Sequence, residues 1–105
     1  MKKAMDAFRE FNKARDWDQF HTPENLAKSI VIEGAELLEC FQWTTDQYNM
    51  PDVKEELADV LSYCIQLCDV LHLDPEDIVL EKLEKTKKKY PVDKAKGKST
   101  KYTLL

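Results

Sequence analysis

Glycine and proline are scarce in this chain, with two and four in 105 residues. An architecture of tight turns and many short strands needs more of both, so the composition leans towards helices. Cysteine is also scarce and odd in number, at Cys40, Cys64 and Cys68, with no Cys-x-x-Cys pair and no Cys/His cluster. A disulfide framework and a zinc site therefore lack a basis, and buried thiols in a reducing compartment are the plainer reading. Long apolar runs are missing too. No stretch approaches the roughly 18 apolar residues of a membrane span, and the opening MKKAMDAFREF has no apolar core of a secretory leader. A cytoplasmic location with no membrane partner is expected.

What is present is ordinary for a soluble globular protein: 43% hydrophobic and 34% charged residues. The length suits one domain, residues 1–105, whose core is small enough that association with further copies would add stability. The net charge of −4 hides an asymmetry, since residues 1–80 carry 7 basic and 17 acidic side chains and residues 81–105 carry 9 and 3. Most of the surface would repel a nucleic acid polymer, which is not an expected partner despite the basic tail.

Apolar periodicity divides the chain into four helices. Ala4, Phe8, Phe11 and Ala14 mark a first helix over about 3–15. Thr22 before Pro23 is a start signal, a hydroxyl cap followed by a proline that has no N–H to lose, and predicts a second helix over about 23–42. A third, over about 52–71, has apolar residues around most of its circumference and should be central. Asp74, Pro75 and Asp77 repeat the start signal for a fourth helix over about 75–89. From about Pro91 a basic, nonperiodic tail follows, and the lysine run 87–89 suits the negative end of the helix before it. The fold class expected is all-α, a four-helix bundle.

The stretch EGAELLECFQW sets Glu33, Glu36 and Glu39 among apolar neighbours. Glu33 and Glu36 lie three apart on the second helix, as do Glu56 and Asp59 on the third, so each pair projects from one face. Side by side, the two helices would gather four carboxylates, and desolvated like charges are costly unless compensated. Divalent cations supply that compensation, and an all-oxygen set suits Mg²⁺, with Mn²⁺ possible in its place. Solvated acids on amphipathic helices are the plainer alternative for any one of them. A di-iron carboxylate bundle would need Glu-x-x-His, a spacing at which neither His21 nor His72 stands. Gly34, a helix-weakening residue between the acids, predicts a close backbone approach.

EGAE followed by EELAD resembles the E-x-x-E, E-x-x-D signature of the MazG-like all-α nucleoside triphosphate pyrophosphohydrolases. RDWDQFHTPENLA, ELLECFQW, DVLSY, KKYP and KGKSTKYT follow in matching order and spacing, so the resemblance covers nearly the whole chain and is nearest to the dCTP pyrophosphatase branch. It implies that Glu33, Glu36, Glu56 and Asp59 hold Mg²⁺ and carry catalysis, with Glu36 the candidate proton acceptor. The substrate implied is a dCTP-like or noncanonical nucleoside triphosphate, cut between its α and β phosphates to give the monophosphate and pyrophosphate. The implied task is sanitation of the nucleotide pool.

Trp17, His21 and Trp43 match positions that line the base and sugar pocket of the branch, and Tyr63 follows Asp59 by one turn on the metal face. Taken without the resemblance, the tryptophans serve core or interface packing equally well, and His21 is a helix-entry residue. Lys82 matches a phosphate-binding lysine on the fourth helix, while Thr86 stands where the family usually has asparagine, whose paired donor and acceptor a hydroxyl cannot reproduce. The resemblance further implies a homodimer or homotetramer with pockets shared between chains. The alternative is a noncatalytic oligomerisation or nucleotide-binding regulatory module on the same fold.

Overall fold

The computed structural model describes residues Met1–Leu105, and the chain is all-helical. Helix α1 spans Lys2–Ala14. It closes with Asp16 in the left-handed region (φ 54°), where the Trp17 N–H donates to the Asn12 carbonyl at 2.9 Å and the Asp16 N–H to that of Lys13 at 3.2 Å. This pattern is usually formed with glycine at the left-handed position. In a chain so poor in glycine, an aspartate fills it, against a preference of about 1–2 kcal/mol for the right-handed form.

Helix α2 spans Pro23–Glu39, and the Thr22 hydroxyl caps it by accepting the Asn25 N–H at 3.2 Å. It ends before the predicted residue 42, because Cys40, Phe41 and Gln42 each donate to the carbonyl three residues back and tighten the chain out of the α pitch. Helix α3 spans Met50–Val70 and starts ahead of the predicted 52. Asn49, read as connection, is its cap and accepts the Asp52 N–H at 3.2 Å. His72 (φ 58°) ends α3 as Asp16 ends α1, with Leu73 N–H donating to Cys68 carbonyl at 2.8 Å.

Helix α4, Pro75–Lys89, carries its predicted cap, with Asp74 accepting the Asp77 N–H at 3.0 Å. The tail is not wholly irregular as expected. It forms a short helix α5, Val92–Ala95, and a 3-10 turn, Tyr102–Leu104. Both are too short for a period to register in sequence. The Tyr90 hydroxyl accepts the Tyr102 N–H at 3.2 Å, and the two rings meet edge to face at 5.9 Å.

The chain divides into two compact units, Met1–Leu73 and Asp74–Leu105. In the first, α3 packs along α2 and also against α1, as its apolar breadth predicts. The buried centre is small, with Leu26 and Ile65 its apolar residues and Asn12 and Gln66 its polar ones. None of the three cysteines forms a disulfide, and all are half-buried. No helix is long and apolar enough to cross a membrane.

Gly34 corrects one expectation. A Cβ built there meets nothing within 4 Å, so no backbone of this chain approaches it. Gly34→Ala should therefore stabilise the chain by about 1 kcal/mol, read by urea denaturation. Destabilisation would mean that a second molecule approaches at this position.

Candidate functional site

Packing of α2 against α3 brings together carboxylates that lie 26 residues apart in sequence at their widest, Glu33 and Asp59. Ligand atoms of Glu33, Glu56 and Asp59 all lie within 4.8 Å of one another. Glu33 and Glu56 are half-buried, while Asp59 and Glu36 are exposed, so these acids are less enclosed than their apolar sequence neighbours suggested. Glu39 is exposed as well. An amphipathic helix turns its acids to the rim of an interface, and that rim is open to solvent here.

Electrostatics mark these carboxyls as a group. Glu33 is pushed up to about 7, first by sharing a proton with Glu36, then by burial and by the charges of Glu36, Asp59 and Glu56. Burial raises Glu56, and Glu36, Asp59 and Glu55 add to the effect. Glu36 lies outside the tight triad but is the strongest carboxylate neighbour of both. Oε2 of Glu33 and Oε2 of Glu56 are sealed from solvent without a hydrogen-bond partner. Buried oxygens without partners are rare and call for an ion or water. The donor set, all carboxylate oxygen, fits a hard divalent cation.

Asp59 also opens onto a cavity of about 110 Å³ lined by Phe8, Phe11, Asn12, Trp17, His21, Ser62, Tyr63 and Gln66. The turn that closes α1 positions Trp17, whose ring meets Phe11 edge to face at 5.5 Å and His21 at 6.3 Å. His21 Nδ1 is another buried atom without a partner. A second cavity, about 220 Å³, shares Phe8, Asn12, His21 and Gln66 with the first and extends to Arg9 and Asp69. Arg9 grips Asp69 with two nitrogens, Nε at 2.8 Å from Oδ2, and holds that carboxyl below its usual range.

The structure thus gathers Trp17, His21, Tyr63 and Asp59 around one cavity. It places Trp43 elsewhere, 89% exposed beyond the end of α2, beside a depression lined by Phe41 to Gln47. Lys82 and Thr86 lie on α4 in the second unit, where Lys82 is exposed and the Thr86 hydroxyl donates to its carbonyl at 3.1 Å. Sequence reasoning missed Asn12 and Gln66. Their signal was polarity at positions of α1 and α3 that otherwise face inward.

The raised carboxyls give the metal-free protein a definite pH response. Their protons bind more tightly in the folded state, so this contribution to stability is fully present below the unfolded value near 4.5 and is lost as pH rises through about 7. With a chelator present, the protein should melt higher at pH 5 than at pH 8. Glu33→Gln should flatten the difference. Asp69, lowered from 3.8, acts below this window. Thermal melts at the two pH values check the prediction, and equal melting would remove the crowding.

The profile of the MazG-like family matches residues 28–105. Mouse dCTP pyrophosphatase 1 is 39% identical over 91% of this chain, and human dCTP pyrophosphatase 1 is 40% identical over the same share. The chain spans about 62% of the length of these relatives. A crystal structure of a pyrophosphatase from Archaeoglobus fulgidus superposes with a TM-score of 0.82 at 46% identity, over 87% of this chain and 92% of that one. With its paired acids, helical order and extent of match, the chain belongs to the MazG-like family.

Proposed function

We propose that this protein is a Mg²⁺-dependent nucleoside triphosphate pyrophosphohydrolase that cuts between the α and β phosphates, releasing the monophosphate and pyrophosphate. The observation that carries the reading is the carboxylate triad, with two sealed, unpartnered oxygens, one member of which, Asp59, also lines an aromatic-walled cavity. The names of its relatives support the reaction class. Glu33, Glu56 and Asp59 would hold Mg²⁺, or Mn²⁺ in its place. Bound there, the ion would offset triphosphate charge, polarise the α-phosphoryl group and lower the pKa of water.

The protein's own part is placement and proton transfer. Glu36 is exposed and lies beside Glu33 and Glu56, which suits it to accept the proton of the attacking water. Trp17, His21 and Tyr63 wall a space for base and sugar, where stacking on an aromatic face contributes about 1–3 kcal/mol. Substrates would be dCTP-like or noncanonical deoxynucleotides, and the cellular task sanitation of the nucleotide pool in the cytoplasm. Lys82 is carried from the family resemblance as a phosphate contact, and Thr86 occupies the base or sugar contact position where the family usually has asparagine, a departure that can shift substrate choice.

The active form would be a homodimer or homotetramer. Val31 is 72% exposed, Ile32 59%, Leu38 70% and Trp43 89%, a run of apolar surface along α2 and its end that a lone chain leaves wet. A second copy would cover it and bring Trp43 into a shared pocket. Sedimentation at micromolar concentration should show a dimer or larger species, and an active monomer would overturn the shared pocket.

Pyrophosphate release from a panel of canonical and modified triphosphates tests the reaction. It should require Mg²⁺. Glu36→Gln and Asp59→Asn should abolish turnover yet melt at or above the wild-type temperature without metal, because each removes one of the crowded charges. Near-normal release from either variant would take that residue out of catalysis. No turnover across the panel would leave a noncatalytic nucleotide-binding module.

A further inference from the structure

The cavity beside Asp59 contains a polar pair that the proposed reaction does not use. Asn12 and Gln66 are 6% and 7% exposed, and Asn12 Nδ2 donates to Gln66 Oε1 at 2.8 Å. Gln66 Nε2 in turn donates to the Ser62 carbonyl at 3.2 Å. A backbone carbonyl can only accept, so turning the Gln66 amide over would set two oxygens against each other. Its Oε1 must therefore face Asn12, and the NH₂ of Asn12 must face Gln66. The chain of bonds fixes which end of Asn12 is left over. Asn12 Oδ1, an acceptor, takes no hydrogen bond from the chain, and Asn12 lines both cavities.

We infer that Asn12 is a base-selecting residue, held by Gln66, whose unpaired carbonyl oxygen accepts a hydrogen bond from the exocyclic amino group of the nucleobase. The ligand class is a nucleotide whose base carries an amino group where uracil and thymine carry a carbonyl, as cytosine does. An amino group satisfies this acceptor. A carbonyl at the same place sets oxygen against oxygen, and once the base shuts water out both are left unpaired, which costs more than a formed bond gains. The phenyl and indole walls of Phe8, Phe11 and Trp17 stack on any base and do not discriminate, whereas this polar floor does.

The inference rests on the nucleotide reading above but is tested by binding alone. Isothermal titration with dCMP and dUMP, in the presence of Mg²⁺, compares bases that differ at the amino position and the adjoining ring nitrogen. The wild type should bind dCMP about 5-fold to 150-fold more tightly. Gln66→Met keeps the volume and removes the lock, so Asn12 can turn its NH₂ to the ligand and the ratio should fall towards one through a gain in dUMP affinity. General damage to the fold would weaken both ligands together and leave the ratio in place. Asn12→Leu removes the acceptor and should also bring the ratio towards one. Equal affinities in the wild type, binding of neither ligand, or an unchanged ratio in Gln66→Met would each overturn the proposal. Absence of pyrophosphate release with a dCMP preference intact would sink the reaction and keep the base reader, whereas release with equal affinities would do the reverse.

Discussion

Carboxylates of like charge repel, and in this protein the repulsion is concentrated where α2 and α3 run along each other. Glu33, Glu56 and Asp59 converge within 4.8 Å, with Glu36 acting on both glutamates. Separating the helices would relieve the charges, but Leu26 and Ile65 are among the few buried residues the chain has, and the helices must stay together to cover them. The carboxyls respond by holding protons to higher pH. A cation is the other way to discharge the same strain, and it would satisfy the two sealed oxygens that protons alone leave without partners.

The contact of α1 with α3 follows a different chemistry. Arg9 on Asp69 and Asn12 on Gln66 form a polar seam along a face where an apolar stripe would be expected. Directional bonds of this kind fix the rotation and sliding of one helix against another more narrowly than apolar contact does. The seam runs beside both cavities, so the parts of the protein that would meet a ligand are also those whose register is most tightly specified.

Local chemistry was legible in the sequence. Thr22 with Pro23, and Asp74 with Pro75, announced helix starts because capping depends on residues within one turn. The acids were legible through their three-residue spacing on two helices that could face each other. Features set by distant partners were not. Asn12 and Gln66 are separated by 54 positions and no local rule pairs them. The left-handed roles of Asp16 and His72 were hidden because the usual signal for such a turn is glycine. Gly34 misled in the opposite direction, since a glycine in a helix suggests a neighbour that this chain does not provide. Trp43 matched a family position, yet the chain holds it exposed and away from the cavity residues, a placement that no local pattern announces.

The turn after α1 bears on how the protein can change length. One backbone bond, from Trp17 N–H to the Asn12 carbonyl, ties the indole wall to the residue on the polar floor. Adding a residue to α1 rotates everything beyond it by about 100° and advances it about 1.5 Å, so an insertion between Asn12 and Trp17 would move wall and floor apart. The segment after α2, which carries the exposed Trp43, has no such bond to either cavity. Length variation should be tolerated in residues 44–48 and refused in 12–17.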